Sequence, residues 1–146
     1  MADSEVYGPI DVVVLEFPST DRMRGDAAAA LFDLVDRGIV AIYDLLVVKK
    51  EEDGSFSGVN LSDVSRDDLG GFVAFAGARS GLIGDDDLAD AAALMTPGSV
   101  AALIVYENTW ARPFVAATLA AGGELVASTR ISATDVMATL DELDAS

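Results

Sequence analysis

Seven consecutive residues, Val100 to Tyr106 (VAALIVY), carry no charge, no glycine and no proline. A run of that length, preceded by Pro97-Gly98, reads as a strand buried in a sheet, because a helix takes about ten residues or more and a membrane span about 20. Two further runs have the same character. Ile10 to Phe17 (IDVVVLEF) is closed by Pro18, and Ile39 to Lys49 (IVAIYDLLVVK) runs into Glu51-Glu52-Asp53-Gly54, where Asp-Gly signals a hairpin. Ser55 to Leu61 alternates only imperfectly and reads as a weaker edge strand.

Helical spacing fills the intervals. From Met23 to Asp36, Ala27, Leu31, Leu34 and Val35 fall on one face, and Gly38 supplies a stop. Ser65 to Thr96 predicts two helical pieces, opened by Asp67-Asp68 and by Asp85-Asp86-Asp87, acids that suit the positive end of a helix dipole. Asn108 or Thr109 caps a helix over Trp110 to Ala121, with Pro113 in its first turn and Gly122-Gly123 at its end. Glu124 to Ile131 gives a last strand. Ser132 with Asp135 resembles a capping box ahead of an amphipathic helix bearing Val136, Met137, Leu140 and Leu143.

The resulting order, β-α-β-β-α-α-β-α-β-α, contains two β-α-β units, Ile10 to Val48 and Val100 to Ile131. The expectation is an α+β fold, a ferredoxin-like α/β sandwich whose helices pack on one face of the sheet, with additional helices in the middle and at the C-terminus. A doubly wound α/β layer is the alternative. A chain of 146 residues is enough for one core, so residues 1–146 are read as a single domain.

Composition removes most chemistry. Without Cys there is no disulfide, thiolate nucleophile or thiolate-held metal, and without His no Ser-His-Asp triad or imidazole-bound zinc. The 25 acids against 9 bases, a net charge of -16, oppose nucleic acid and anionic membranes, which need clustered Lys and Arg. Such acidity also keeps a protein dispersed by self-repulsion, whatever its role. No transmembrane segment is expected. The acidic start Met1-Ala2-Asp3-Ser4-Glu5 lacks the cationic region of a secretory signal, and a cytoplasmic location is the expectation.

Three acids stand out because they interrupt or end apolar strands: Glu16, Asp44 and Glu107. In a ferredoxin-like sheet the first strand and Val100–Tyr106 would be central and parallel, setting Glu16 beside Glu107 at one sheet edge. With Asp44 they would form an oxygen-donor set suited to Mg²⁺ or Ca²⁺, or an acid/base pair. The same carboxylates could instead bond backbone N–H groups or pair with Arg112 or Arg130. No other cofactor is implied, since neither a G-x-G-x-x-G nor a Walker A spacing follows any strand.

Two segments suggest contact surfaces. Trp110, Arg112, Pro113 and Phe114 crowd one strand-to-helix turn, and aromatic and Arg side chains are favoured interface anchors. In Gly70 to Gly84 (GGFVAFAGARSGLIG), Gly77 and Gly81 are four apart and would share one helix face, allowing close approach of a partner. So many glycines make a poor helix, at about 0.8–1.0 kcal/mol each relative to Ala, so that either packing against a partner subunit compensates or the segment serves as a flexible gate.

The chain resembles a family of small uncharacterised actinobacterial proteins known only as a domain of unknown function. The resemblance rests on Gly8-Pro9-Ile10-Asp11, Val14-Leu15-Glu16-Phe17-Pro18, Asp44-Leu45, Leu61-Ser62-Asp63, Tyr106-Glu107-Asn108-Thr109-Trp110-Ala111 and Gly122-Gly123-Glu124-Leu125-Val126-Ala127. It implies a shared fold and brings no known activity or catalytic residue.

The functional expectation is a non-enzymatic, self-associating cytoplasmic protein, structural or stress-related, with homo-oligomer contacts through Trp110, Arg112, Phe114, Gly77, Gly81, Val136, Leu140 and Leu143. A mean hydropathy of +0.38 coexisting with the charge of -16 motivates it, since a second copy would cover surplus apolar surface. A different protein partner would also serve. The alternative is a carboxylate site of Glu16, Asp44 and Glu107 for a divalent cation or small ligand.

Overall fold

The computed structural model describes residues 6–19, 25–59, 61, 68–78, 80–124, 126–127, 131 and 133–145. The elements are β1 (Ile10–Phe17), α1 (Gly25–Asp36), β2 (Ala41–Lys50), β3 (Phe56–Val59), a 3-10 helix (Asp68–Phe75), α2 (Asp85–Leu94), β4 (Val100–Glu107), a 3-10 turn (Thr109–Ala111), α3 (Arg112–Ala120) and α4 (Ala133–Ala145). Four strands form one sheet in the order β1-β4-β2-β3, every neighbouring pair antiparallel.

The apolar run that predicted a buried strand is the middle of the molecule. β4 lies between β1 and β2, and both of its faces are covered, so it has no solvent side on which polar residues would alternate. Val100, Ala102 and Ile104 join Leu45, Val47, Phe72 and Phe75 under α1 and the 3-10 helix. Ala101, Leu103 and Val105 join Leu46, Val48, Ala91 and Met95 under α2. Helices therefore pack on both faces, not on one as expected, because β2 and β4 are apolar on both sides and each side has to be shielded from water.

β2 and β3 are joined through the predicted Asp-Gly turn. Gly54 sits at φ +92, a left-handed conformation that favours glycine, and Asp53 accepts hydrogen bonds from the backbone N–H and hydroxyl of Ser55. β3 is an edge strand, as its irregular pattern predicts. Lys50 closes the far end of α2, donating from Nζ to the carbonyls of Ala92 (2.8 Å) and Met95 (3.0 Å), where a cation complements the helix dipole.

Three further expectations change. The first strand is at an edge, not central, and it runs antiparallel to β4: Ile10 pairs with Glu107 and Phe17 with Val100. The fold is α+β with an antiparallel sheet, and its strand order does not confirm the ferredoxin-like arrangement. Second, Gly70 to Gly84 is not one helix. The 3-10 helix ends at Phe75, a turn follows, and Gly81 at φ +88 leads into α2, so Gly77 and Gly81 share no helix face. Third, Glu124, Val126, Ala127 and Ile131 are in no strand, while the rest of the strand expected over Glu124–Ile131 lies outside the described residues, as do Ser132, Arg130 and Asp67.

Candidate functional site

Alternation along β4 points Glu107 to the same face as Leu103 and Val105, where it is 0% exposed. A carboxylate that deep must be neutralised and hydrogen-bonded. Its Oε2 accepts from the backbone N–H of Gly8 (2.8 Å) and from Arg112 Nε (2.6 Å). Its Oε1 accepts from Arg112 Nη2 (2.7 Å) and from the Tyr43 hydroxyl. Four donors thus occupy the roughly four lone-pair positions of one carboxylate.

Each donor is placed by a local feature. Arg112, the first residue of α3, lies one 3-10 turn beyond Glu107, so strand, turn and helix bring its planar fork onto both oxygens. Its guanidinium also stands 5.3 Å from the centre of the Tyr7 ring. Gly8 fits because a Cβ there would lie 2.0 Å from the Asn108 carbonyl oxygen. The Arg112 bond, against the opposing effect of burial and with help from Tyr43 and Gly8, lowers the Glu107 pKa to about 2. Burial, then donation to Glu107, raises that of Tyr43, and Arg112 is held more firmly protonated. At neutral pH this set holds its protons in place and is poorly suited to acid/base exchange.

Asp44 follows a β-bulge, the register against β4 shifting between Ile42 and Asp44. The bulge aims its buried side chain at the chain leading into α2. There Oδ1 accepts from the N–H groups of Ser80 and Gly81 (3.3 Å), and Oδ2 from Ile83 (2.8 Å). Burial is the largest influence and pushes its pKa up, yet the Ile83, Ser80 and Gly81 donors together outweigh it and hold the carboxyl below its ordinary value. Glu16 is exposed on β1 and accepts from the Thr96 N–H (2.6 Å) and the Ser99 hydroxyl (2.7 Å), bonds that in that order lower its pKa.

Asp44 and Glu107 share a face and an end of the sheet, since Asp44 pairs with Val105, two residues from Glu107. Glu16 does not join them. It pairs with Ala101, six residues from Glu107 along β4, about 20 Å at strand rise, because β1 runs antiparallel. Among the described residues no group of three or more carboxylates is placed to hold a metal ion.

The residues expected at contacts lie mostly outside the core. Trp110 is 61% exposed, its indole N–H donating to Asn108 Oδ1 at 3.2 Å, and Phe114 on α3 is 73% exposed. Gly77 and Gly81 lie in exposed turns, Arg112 is half-buried, and Val136, Leu140 and Leu143 are exposed on α4. Tyr43, Tyr7 and Gly8 were not singled out as site residues from sequence. Tyr43 had one signal, as the polar neighbour of Asp44 inside an apolar strand, and Gly8 another, as the glycine of a Gly-Pro pair before β1.

A family model described as a family of unknown function, DUF6325, matches residues 6–146. No curated protein and no solved structure matches the chain.

Proposed function

Because the chain belongs to this family of unknown function, whose description carries no activity to transfer, we propose from the chain's own surfaces that it is a non-enzymatic, self-associating protein of the cytoplasm. One observation carries the reading. α4 has no buried residue, although Val136, Met137, Leu140 and Leu143 give it an apolar stripe. A helix of 13 residues is marginal in water by itself, and most helical stability comes from packing an apolar face. A second copy supplies that packing. α3 adds to the same need, having no buried residue and displaying Phe114 and Leu119.

The carboxylate alternative has less support. Glu107 and Asp44 spend their oxygens on protein donors, and Glu16 stands at the other end of the sheet. No helix of the described residues is long and apolar enough to cross a membrane, so α4 is not assigned there. Light scattering at micromolar concentration tests the proposal: a multiple of the 15.1 kDa chain mass supports it, and a sharp monomer across the concentration range overturns it.

A further inference from the structure

The two faces of the sheet are covered unequally. A helix axis stands about 8–10 Å from its neighbour and strands are about 4.8 Å apart, so a face of four strands has room for two helical segments side by side. One face carries two, α1 and the 3-10 helix. Among the described residues the other carries one helix along its length, α2, over β2, β3 and part of β4, with the first residue of α3 reaching Glu107 at one end. On its uncovered side Ile10, Val12 and Val14 of β1 face solvent, with Leu82 just before α2 and Leu94 at its last residue. Between them runs a groove of about 260 Å³, floored by Leu103 and Val105 and bordered by Asp87 and Asp90.

The chain thus displays a sheet face short of one helix and a helix short of one face. We infer that, given the self-association proposed above, the groove between β1 and α2 receives α4 of a second copy, each copy giving its helix to the other. The dimensions agree. α4 is about 20 Å long at helical rise and β1 about 26 Å at strand rise. Val136, Leu140 and Leu143 fall on one side of α4 with Met137 beside them, by the spacing of one, four and seven residues. In the single chain α4 stays exposed along its whole length while the groove stays open, so its own helix does not fill it.

The area is sufficient as well. The four side chains on α4 and the five around the groove are between 41% and 81% exposed. At about 100 Å² each they remove about 900 Å² per contact, and reciprocal exchange doubles it, within the range of about 1,200–2,000 Å² of stable complexes. Exchange between two copies is closed, leaving neither helix nor groove over.

The absence of cysteine makes a direct test available. Val14→Cys and Leu140→Cys are made in separate chains, mixed, and treated with a short bis-maleimide. A heterodimeric adduct identified by intact mass is the expected result, and Ser57→Cys, on the remote edge strand β3, should give at least tenfold less with the Leu140→Cys chain. Leu140→Ser should raise the dimer dissociation constant about 30-fold and Val14→Ser about tenfold. Circular dichroism confirms that each variant is folded. If light scattering gives a dimer but the Val14 and Leu140 chains yield no adduct above the Ser57 background, this groove is not the interface and self-association stands. If the Val14→Cys/Leu140→Cys double variant links only within its own chain, α4 returns to its own groove and the exchange is overturned. A monomer at all concentrations removes both readings.

Discussion

Asp44 and Glu107 are carboxylates buried on the same sheet face a few residues apart, and the protein treats them in opposite ways. Glu107 is met by a full positive charge, a phenol and one backbone N–H, drawing together β4, the start of α3, β2 and the segment before β1. Among the described residues Asp44 is met by neutral donors, the backbone N–H groups of Ser80, Gly81 and Ile83 together with the Ser80 side chain, all from one short stretch. The first tie joins parts of the chain 99 residues apart. The second shapes one connection. A buried acid is therefore not one kind of feature: its donors decide whether it holds the fold together or sets the path of a loop.

The difference predicts a ranking. Glu107→Ala should have the largest effect, about 3–4 kcal/mol in urea unfolding, since it leaves Arg112, the Tyr43 hydroxyl and the Gly8 N–H without their acceptor. Asp44→Ala should cost about 2–3 kcal/mol and speed amide exchange at Ser80, Gly81 and Ile83 while leaving Gly8 protected. If Asp44→Ala also exposes Gly8, the two sites are one network and the contrast fails. Tyr43→Phe should cost about 1 kcal/mol, removing one of four donors. Glu16→Gln, on the exposed strand, should stay within about 0.5 kcal/mol.

Acid distinguishes the sites further. The folded pKa of Glu107, about 2, lies below its ordinary value of 4.5, so its contribution is complete above that value and is lost as pH falls toward 2. Unfolding free energy should fall steeply through that window in the wild type and less steeply in Glu107→Gln. Equal slopes would show that the bidentate Arg112 pair contributes nothing. The smallest effect concerns association: both α4 and the groove border are acidic, so raising NaCl should tighten the dimer severalfold by screening like charges.

Much of the secondary structure was legible in the sequence. Uninterrupted apolar stretches have few ways to be satisfied, so β1 begins and ends where its apolar run does and β4 runs only one residue past its own, to Glu107. Strand order was less accessible. The same residues in β1 pair with β4 in either direction as far as hydropathy is concerned, and only the packing of both sheet faces selects the antiparallel edge position. The Glu107–Arg112 pair was among the sequence alternatives, since five residues across a strand-to-helix turn allow it. The bulge at Tyr43 was not, because an extra residue leaves no mark in an apolar run. Without the bulge, the role of Asp44 in ending the glycine-rich segment as a turn rather than a helix stayed hidden.

The edge position of β1 has a consequence for the behaviour of the protein in bulk. No strand among the described residues pairs along its outer side, so an apolar ribbon presents a line of backbone groups on which another such ribbon could build. The net charge of -16 keeps copies apart at neutral pH, but it shrinks as the pH falls toward the sequence's isoelectric point of about 4.1. Edge-to-edge growth then meets a much smaller electrostatic barrier, and the protein should cloud into β-rich precipitate while Glu107 is still ionised and the sheet intact.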